Sequence, residues 1–467
     1  MSEQLSIYNT MSRQVEPFET IEPGKVRMYV CGVTVYDHAH IGHGMSSIAF
    51  DAIRRYLQYA GYEVTYAQNF TDIDDKIINR AAELGIDPNE LTQSMIDTWD
   101  DEMSAFNILK ATINPRATQE IPQIIAMIQG LIDNGHAYAA NGDVYYKVRS
   151  FDEYGKLSHR DIQDLLSGAR IAVGEHKDDP LDFALWKAAK PGEPTWASPW
   201  SDGRPGWHIE CSAMCAHHLG EQIDIHGGGA DLIFPHHENE IAQSEAFFGH
   251  PYFARYWMHN GLLQLGGEKM SKSLGNIVRL KEIVENGKAM AFRLQVLGSH
   301  YRMPLTWTEE GLEAAQNGLD RLRAAASPLP VSPTADRDSE LDALVETTEA
   351  AFHAAMRNDF DTPVAVASLF ELARVINRNR GQDSFNASVE TARWKLIELT
   401  EILGLDLSTP QGEALNDAAP FIDLLISLRN DLRAARQFDL ADKVRDNLAE
   451  LGVTIEDTRQ GTIWKSS

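Results

Sequence analysis

Cysteine is scarce in this chain: three in 467 residues, at positions 31, 211 and 215. Three thiols exclude a disulfide framework and fit a reducing compartment, where free cysteines are available for metal binding. Also missing is any apolar run near the ~20 residues that a membrane-crossing helix needs. The opening MSEQLSIYNT has neither the basic and apolar regions of a secretory leader nor the Arg-rich character of a transit segment. A cytoplasmic protein with no membrane partner is expected. Positive charge is in short supply too, with 42 lysines and arginines against 68 acids and a formal net charge of −26. That excludes a generally basic surface, so any RNA contact must use local basic patches. No internal repeat and no low-complexity tract is found.

What is there is a soluble-protein composition, 43% hydrophobic and 24% charged, on a chain long enough for two to four packed units at ~100–200 residues each. Val26 to Cys31 reads as a buried strand, ending at Cys31, and Gly32 to Gly44 as a loop. A helix follows, with Ile48, Ala49, Ala52, Ile53, Tyr56, Leu57 and Ala60 at helical spacing. Gly61 stops it, and Tyr62 to Phe70 reads as a second strand. Thr71-Asp72-Ile73-Asp74 looks like the start of a helix that ends near Gly85. Strand, loop, helix and strand make the unit of an α/β parallel nucleotide-binding sheet. Residues 116–205, rich in Pro, Gly and Trp towards their end, read as an insertion. The sheet resumes at 222–226, then Gly227-Gly228-Gly229, then a helix over Asn239 to Phe248. Beyond Leu312 the pattern is almost wholly helical, with Thr362 capping a helix that has Pro363 in its first turn.

Two short motifs carry chemistry. His40-Ile41-Gly42-His43 lies between a predicted strand and a predicted helix. Its imidazoles can donate to triphosphate oxygens, Gly42 allows close backbone approach, and a helix start favours anions. Lys269-Met270-Ser271-Lys272-Ser273 follows Gly266-Gly267. Two lysines on a glycine-hinged loop can neutralise charge on a departing pyrophosphate. Taken singly, each motif also fits an ordinary solvated loop.

Together, in this order, the pair resembles the signature motifs of class I aminoacyl-tRNA synthetases. The resemblance extends over almost the whole chain. It is strongest to the cysteinyl members, through Cys31-Gly32-Val33-Thr34-Val35-Tyr36-Asp37, Trp207 to Met214, and Phe234-Pro235-His236-His237-Glu238-Asn239-Glu240. It implies a Rossmann-like parallel-sheet catalytic domain with an inserted connective domain, followed by an α-helical bundle and a small C-terminal domain. The expected boundaries are 1–115 and 206–265 for the halves of the catalytic domain, 116–205 for the insertion and 266–311 for the lysine-loop and stem-contact region. Residues 312–405 are expected to form the tRNA-binding bundle, and 406–467 a small domain that recognises the anticodon.

Two thiolates, an imidazole and a carboxylate suit tetrahedral Zn²⁺. Carried over by the resemblance, the ligands fall on Cys31, Cys211, His236 and Glu240. The residues alone leave Cys215, His226, His237 and Glu238 as further candidates. Zinc makes chemical sense, because cysteine and serine are near isosteres and shape separates such pairs by only about 10²-fold. A soft cation takes a thiolate in preference to a hydroxyl. The resemblance further implies ATP binding by His40, Gly42, His43, Lys269, Met270, Ser271 and Lys272, with Mg²⁺ accompanying ATP. It implies an amino-acid pocket from Gly32, Thr71, Trp207, His226 and Asp231; a helix cap at Thr71 and core packing at Trp207 are the plainer readings.

Arg374 and Arg378, and Arg429, Arg433 and Arg436, are spaced along single helical faces, and Trp464 sits among cations in the tail. Arginine serves phosphates and base edges, and an indole stacks on unpaired bases. The partners expected are tRNA(Cys), ATP and L-cysteine, acting on a monomer. The runner-up is the cysteine ligase of mycothiol biosynthesis, which resembles the same core but uses an amino-sugar acceptor.

Overall fold

The structure is a computed structural model that describes residues 4–161, 176–265, 268–269, 278–329, 331–380, 385–408, 411–451, 453–458 and 461–466. The chain divides into two compact units, Met1–Asp406 and Leu407–Ser467.

The centre of the first unit is a four-stranded parallel sheet. Its strands are β1 (Lys25–Thr34), β2 (Glu63–Thr71), β3 (Ile223–Gly229) and β4 (Ala254–Asn260), in the spatial order β4-β3-β1-β2. Helix α1 (Ile41–Tyr59) joins β1 to β2, and its apolar face, including Ile48, Ala52, Ile53 and Leu57, is fully buried. This is the predicted strand–helix–strand unit. Three boundaries differ from expectation. Helix α1 begins at Ile41, inside the histidine motif, with His40 as its cap. Strand β1 runs past Cys31 to Thr34, and β3 takes in all three of Gly227, Gly228 and Gly229. A Cβ on Gly227 would stand 2.5 Å from the Phe50 ring of α1, so this strand needs glycine to let the helix pack.

Thr71 is no helix cap. It closes β2, and Asp74 caps the helix Asp75–Leu84 by accepting from the Lys76 backbone N–H. Gly85 ends that helix at φ 67°. Likewise Asp361, not Thr362, caps the helix Thr362–Asn379.

The sheet's halves are separated by a helix, Ile121–Asp133, and a small antiparallel sheet of Ala137–Ala140, Asp143–Tyr146, Phe183–Ala188 and Gly203–Pro205. Helix α2 (Trp207–Leu219) returns the chain to the parallel sheet, and α3 (Glu238–Phe248) links β3 to β4. Four helices, Glu309–Ala326, Ser339–Arg357, Thr362–Asn379 and Ala387–Ile402, then pack on one another. The second unit has two helices, Gln411–Ala434 and Phe438–Glu450, and a hairpin of Val453–Thr458 with Gly461–Ser466. No helix among the described residues is long and apolar enough to cross a membrane.

Candidate active site and metal centre

The carboxyl ends of parallel strands and the starts of following helices open towards one side, where ligands of such sheets bind. At the start of α1 the rings of His40 and His43 stack with centroids 3.7 Å apart. Each imidazole accepts from the other residue's backbone N–H, at 3.4 and 3.3 Å. The cap is therefore built from the motif itself, and both residues line a cleft at the helix start. The segment that resumes at Val278, after the lysine motif, is tied to the same spot. Ile41 N–H donates to the Val278 carbonyl at 3.1 Å and Leu280 N–H to the Ala39 carbonyl at 3.0 Å. At the other end of the loop, Lys269 pairs through its backbone with Gln264. Met270, Ser271 and Lys272 lie outside the described residues.

Cys31 on β1, Cys211 on α2, and His236 and Glu240 at the start of α3 converge, with ligand atoms all within 4.8 Å of one another. Cys31 Sγ is 3.8 Å from Cys211 Sγ and 3.3 Å from Glu240 Oε1, and His236 Nε2 is 3.1 Å from the same oxygen. Cys211, His236 and Glu240 are buried. Buried acids and thiols facing one another need a counter-charge. Burial pushes the Cys31 thiol up, reinforced by Cys211 and Glu240. The hydrogen bond from Cys31 pulls Cys211 down to about 6 against the cost of burial. Burial opposes charge on His236, but Glu240 and Cys211 outweigh it and raise the imidazole to about 10. This donor set and its crowding fit a soft divalent cation.

The other candidate ligands are placed as follows. Cys215 is fully buried and belongs to neither metal-competent group around Cys31. Glu238 turns away, accepting from the backbone N–H groups of Gly155, Leu157 and Ser158. His226 and His237 make an alternative group with Cys31 and Glu240, but His226 Nε2 is bonded to Glu240 Oε2 at 2.8 Å. It braces the carboxylate from behind. His237 bonds His259 at 2.8 Å, and His208 bonds His236 at 2.9 Å. Burial holds His208, His237 and His259 below the usual imidazole range, His259 at about 3.

Above the cluster is a cleft of about 390 Å³ whose lining includes Cys31, Gly32, His40, Gly42, His43, Trp207 and Asp231. The cleft thus joins the histidine motif to the cluster through Cys31. Trp207 is 39% exposed, so it is not a core residue, and its indole stacks on the His236 ring at 4.1 Å. Thr71 and His226 are placed beneath the cleft, not on its wall. Thr71 is buried, donating to Glu210 at 3.2 Å and accepting from Asn69 at 3.5 Å. Asn69 and Glu210 were missed in the sequence. Asn69 also accepts from Gly32 N–H at 2.9 Å, and a Cβ at Gly32 would collide with the Asn69 carbonyl. The only sequence signal was proximity to Thr71 and Cys211.

The arginines divide. Arg374 and Arg378 are exposed, Arg374 paired with Glu371 on its own helix. In the second unit Arg433 and Arg436 are exposed, but Arg429 is buried. Trp464 packs on a small core of Ile422, Ile426, Leu448 and Val453, its indole N–H donating to Asp423 at 3.0 Å.

Residues 17–317 match the family described as tRNA synthetases class I (C) catalytic domain, and 351–408 match the DALR domain. The chain is 54% identical to a cysteine–tRNA ligase of Dehalococcoides mccartyi, over 99% of both chains. It is 50% identical to that of Alkalilimnicola ehrlichii and 48% to that of Thermococcus gammatolerans, again over 99% of each chain. In fold it is similar to methionyl-tRNA synthetase of Mycobacterium tuberculosis in complex with methionyl-adenylate. There the TM-score is 0.61 at 16% identity, covering 86% of this chain and 94% of the other. A stacked histidine pair at a helix start, a nearby group of two thiols, an imidazole and a carboxylate, and full-length likeness lead to one statement: the chain belongs to the cysteine–tRNA ligase family of class I aminoacyl-tRNA synthetases.

Proposed function

We infer that this protein activates L-cysteine with ATP and esterifies it onto tRNA(Cys). The observation that carries this is the cleft lined by both His40 and His43 and by Cys31, the member through which the two-thiol, imidazole and carboxylate cluster meets it. Cys31, Cys211, His236 and Glu240 are the residues to hold Zn²⁺, a Lewis acid that takes a thiolate and discriminates against a hydroxyl. His226, bonded to Glu240, keeps that carboxylate oriented. Trp207 covers the substrate side chain, and Asp231 takes the α-ammonium.

In the first step a cysteine carboxylate oxygen attacks the α-phosphorus of ATP. The bond from that phosphorus to the bridging oxygen breaks, and pyrophosphate leaves with the electron pair. His40, His43 and the α1 start hold the phosphates alongside Mg²⁺, and Lys269 and Lys272 neutralise the charge that builds on the leaving group. In the second step a terminal ribose hydroxyl of tRNA attacks the carbonyl carbon. The acyl–phosphate bond breaks, AMP departs, and the hydroxyl proton passes to the departing phosphate. Positioning carries most of this step. Arg374, Arg378, Arg433 and Arg436 supply exposed cations for tRNA phosphates. The amino-sugar alternative draws no support from the relatives, whose match runs through the helical region and the tail.

The test is charging of tRNA(Cys) by a zinc-replete preparation, with cysteine accepted and serine rejected. Equal use of serine, or no charging, rejects the reading. Lys272→Ala is expected to slow adenylation about 10²-fold or more with cysteine KM nearly unchanged. Parallel losses in both would place the lysine in ground-state binding.

A further inference from the structure

Away from the cleft, the described residues hold one further set of metal-competent side chains. These are Glu120, His217 and His218, whose ligand atoms all lie within 4.8 Å of one another. None of the three belongs to the groups around Cys31. The histidines stand in the last turn of α2, beyond Cys211 on the same helix. Glu120 immediately precedes the inserted helix Ile121–Asp133.

Helical habit does not bring these groups together. Neighbouring residues of a helix point about 100° apart and do not face one another. Here His217 presents Nδ1 and His218 presents Nε2, at 2.7 and 2.8 Å from different oxygens of the one Glu120 carboxylate. Using the near nitrogen of one ring and the far nitrogen of the other lets adjacent residues converge. The ring centroids are 4.6 Å apart.

Glu120 is buried, and its side chain does not cap the helix that it precedes. Among the described residues its carboxylate pairs with the two imidazoles and with no lysine or arginine. Neutral imidazoles give a buried carboxylate hydrogen bonds but no positive charge, and a buried charge needs a partner of opposite sign. The carbonyl end of α2 also favours positive charge.

The His217 and His218 side chains are 45% and 24% exposed, so the group opens to water on one side. A cation with bonds of about 2.0–2.1 Å spaces tetrahedral donors about 3.3 Å apart. The rings admit one by swinging outward roughly half an ångström, a movement open to exposed side chains. Two imidazoles and a carboxylate suit zinc and its neighbours, whereas Ca²⁺ and Mg²⁺ take oxygen ligands. Three protein donors leave a position for water. We propose that Glu120, His217 and His218 form a second, solvent-facing site for Zn²⁺ or a similar imidazole-preferring divalent cation, which ties the end of α2 to the start of the inserted helix. With no thiolate and one position open, this site exchanges its ion more readily than the cleft floor. It stands whichever reaction the cleft performs.

The test is equilibrium dialysis of the full-length, untagged protein against Zn²⁺, read by metal analysis. The wild type is expected to hold two ions per chain, and His217→Ala/His218→Ala one. His236→Ala, which loses the cleft cluster instead, also holds one, and the variant combining all three substitutions holds none. Glu120→Gln should weaken binding of the second ion at least about tenfold, the loss seen even when only a residue supporting a metal ligand is removed. A wild type with a single ion per chain overturns the proposal. So does a second ion that survives His217→Ala/His218→Ala, since it then binds elsewhere on the acidic surface. If circular dichroism shows the double variant unfolded, Glu120→Gln carries the comparison: weakened binding supports the site, and unchanged binding overturns it.

Discussion

Two places in the first unit bury charge, and they do so in opposite ways. At the seam between α1 and the helical region, Arg293 is fully buried, yet every part of its guanidinium is used. It pairs with Asp51 and donates to the carbonyls of Leu403 at 2.9 Å and Phe106 at 3.0 Å. Asp51 in turn accepts from Arg55 at 2.8 Å and from Leu109 N–H at 2.9 Å. The protein closes this circuit by itself. On the cleft floor, two thiols, an imidazole and a carboxylate crowd together, and the surrounding rings leave His226 Nδ1 and His237 Nε2 without hydrogen-bond partners. A self-satisfied buried charge is architecture, whereas a cluster of donors with too little counter-charge is built for something that arrives from outside.

That contrast can be broken at either end. The largest effect is expected on the cleft floor. His236→Ala or Cys211→Ser should lose the bound metal, and cysteine preference over serine should drop from about 10⁴-fold or more towards the roughly 10²-fold that shape provides. Metal content and competing activation assays read both; full zinc in both variants would reject the ligand set. At the seam, Arg293→Ala should cost about 3–5 kcal/mol of stability by stranding Asp51, with metal content per folded protein unchanged. Replacing both partners, as in Asp51→Leu/Arg293→Met, should recover much of that loss in denaturant unfolding, because no unpaired charge remains. A seam single variant that also lost metal would blur the contrast.

The smallest effect concerns an intermediate case. Glu102 is buried near His43 with both carboxylate oxygens unpartnered. Burial raises it to about 7, only partly offset by Lys281. The folded chain therefore keeps a proton that the unfolded chain loses at the ordinary carboxyl value of 4.5. Stability contributed at low pH declines as pH rises from there to about 7 and then levels off. Glu102→Gln should remove that decline, raising stability at pH 8 by about 1 kcal/mol while matching wild type near pH 5. Equal unfolding curves at pH 8 would show the carboxylate to be solvated.

Much of the fold was legible because local rules and global packing agree. The apolar spacing of Ile48 to Leu57 marked α1, and Gly85 marked a helix end that the structure closes at φ 67°. Errors fell where side chains override local habit. His40 caps α1 with a ring nitrogen, so the helix starts earlier than a Ser/Thr/Asp/Asn rule suggests. Gly227 to Gly229 read as a turn but form a strand, because glycine is demanded by the packing of Phe50. Trp464 and Arg429 read alike as RNA contacts in the sequence; in the structure Trp464 packs against a small core and Arg429 is buried.

The chain's order of residues by itself determined the chemistry available: two histidines at a helix start, two lysines on a glycine-hinged loop, and a few thiols, imidazoles and carboxylates of the right softness. It also determined the helix and strand periods, since these depend on neighbours three, four or two positions away. Only tertiary structure decided that Cys211 joins the cluster while Cys215 does not, that Glu238 clamps a turn, and that His217 meets Glu120 across 97 positions. The reason is physical: which donors share a cavity depends on strand order and helix rotation, and those are set by packing of the whole unit.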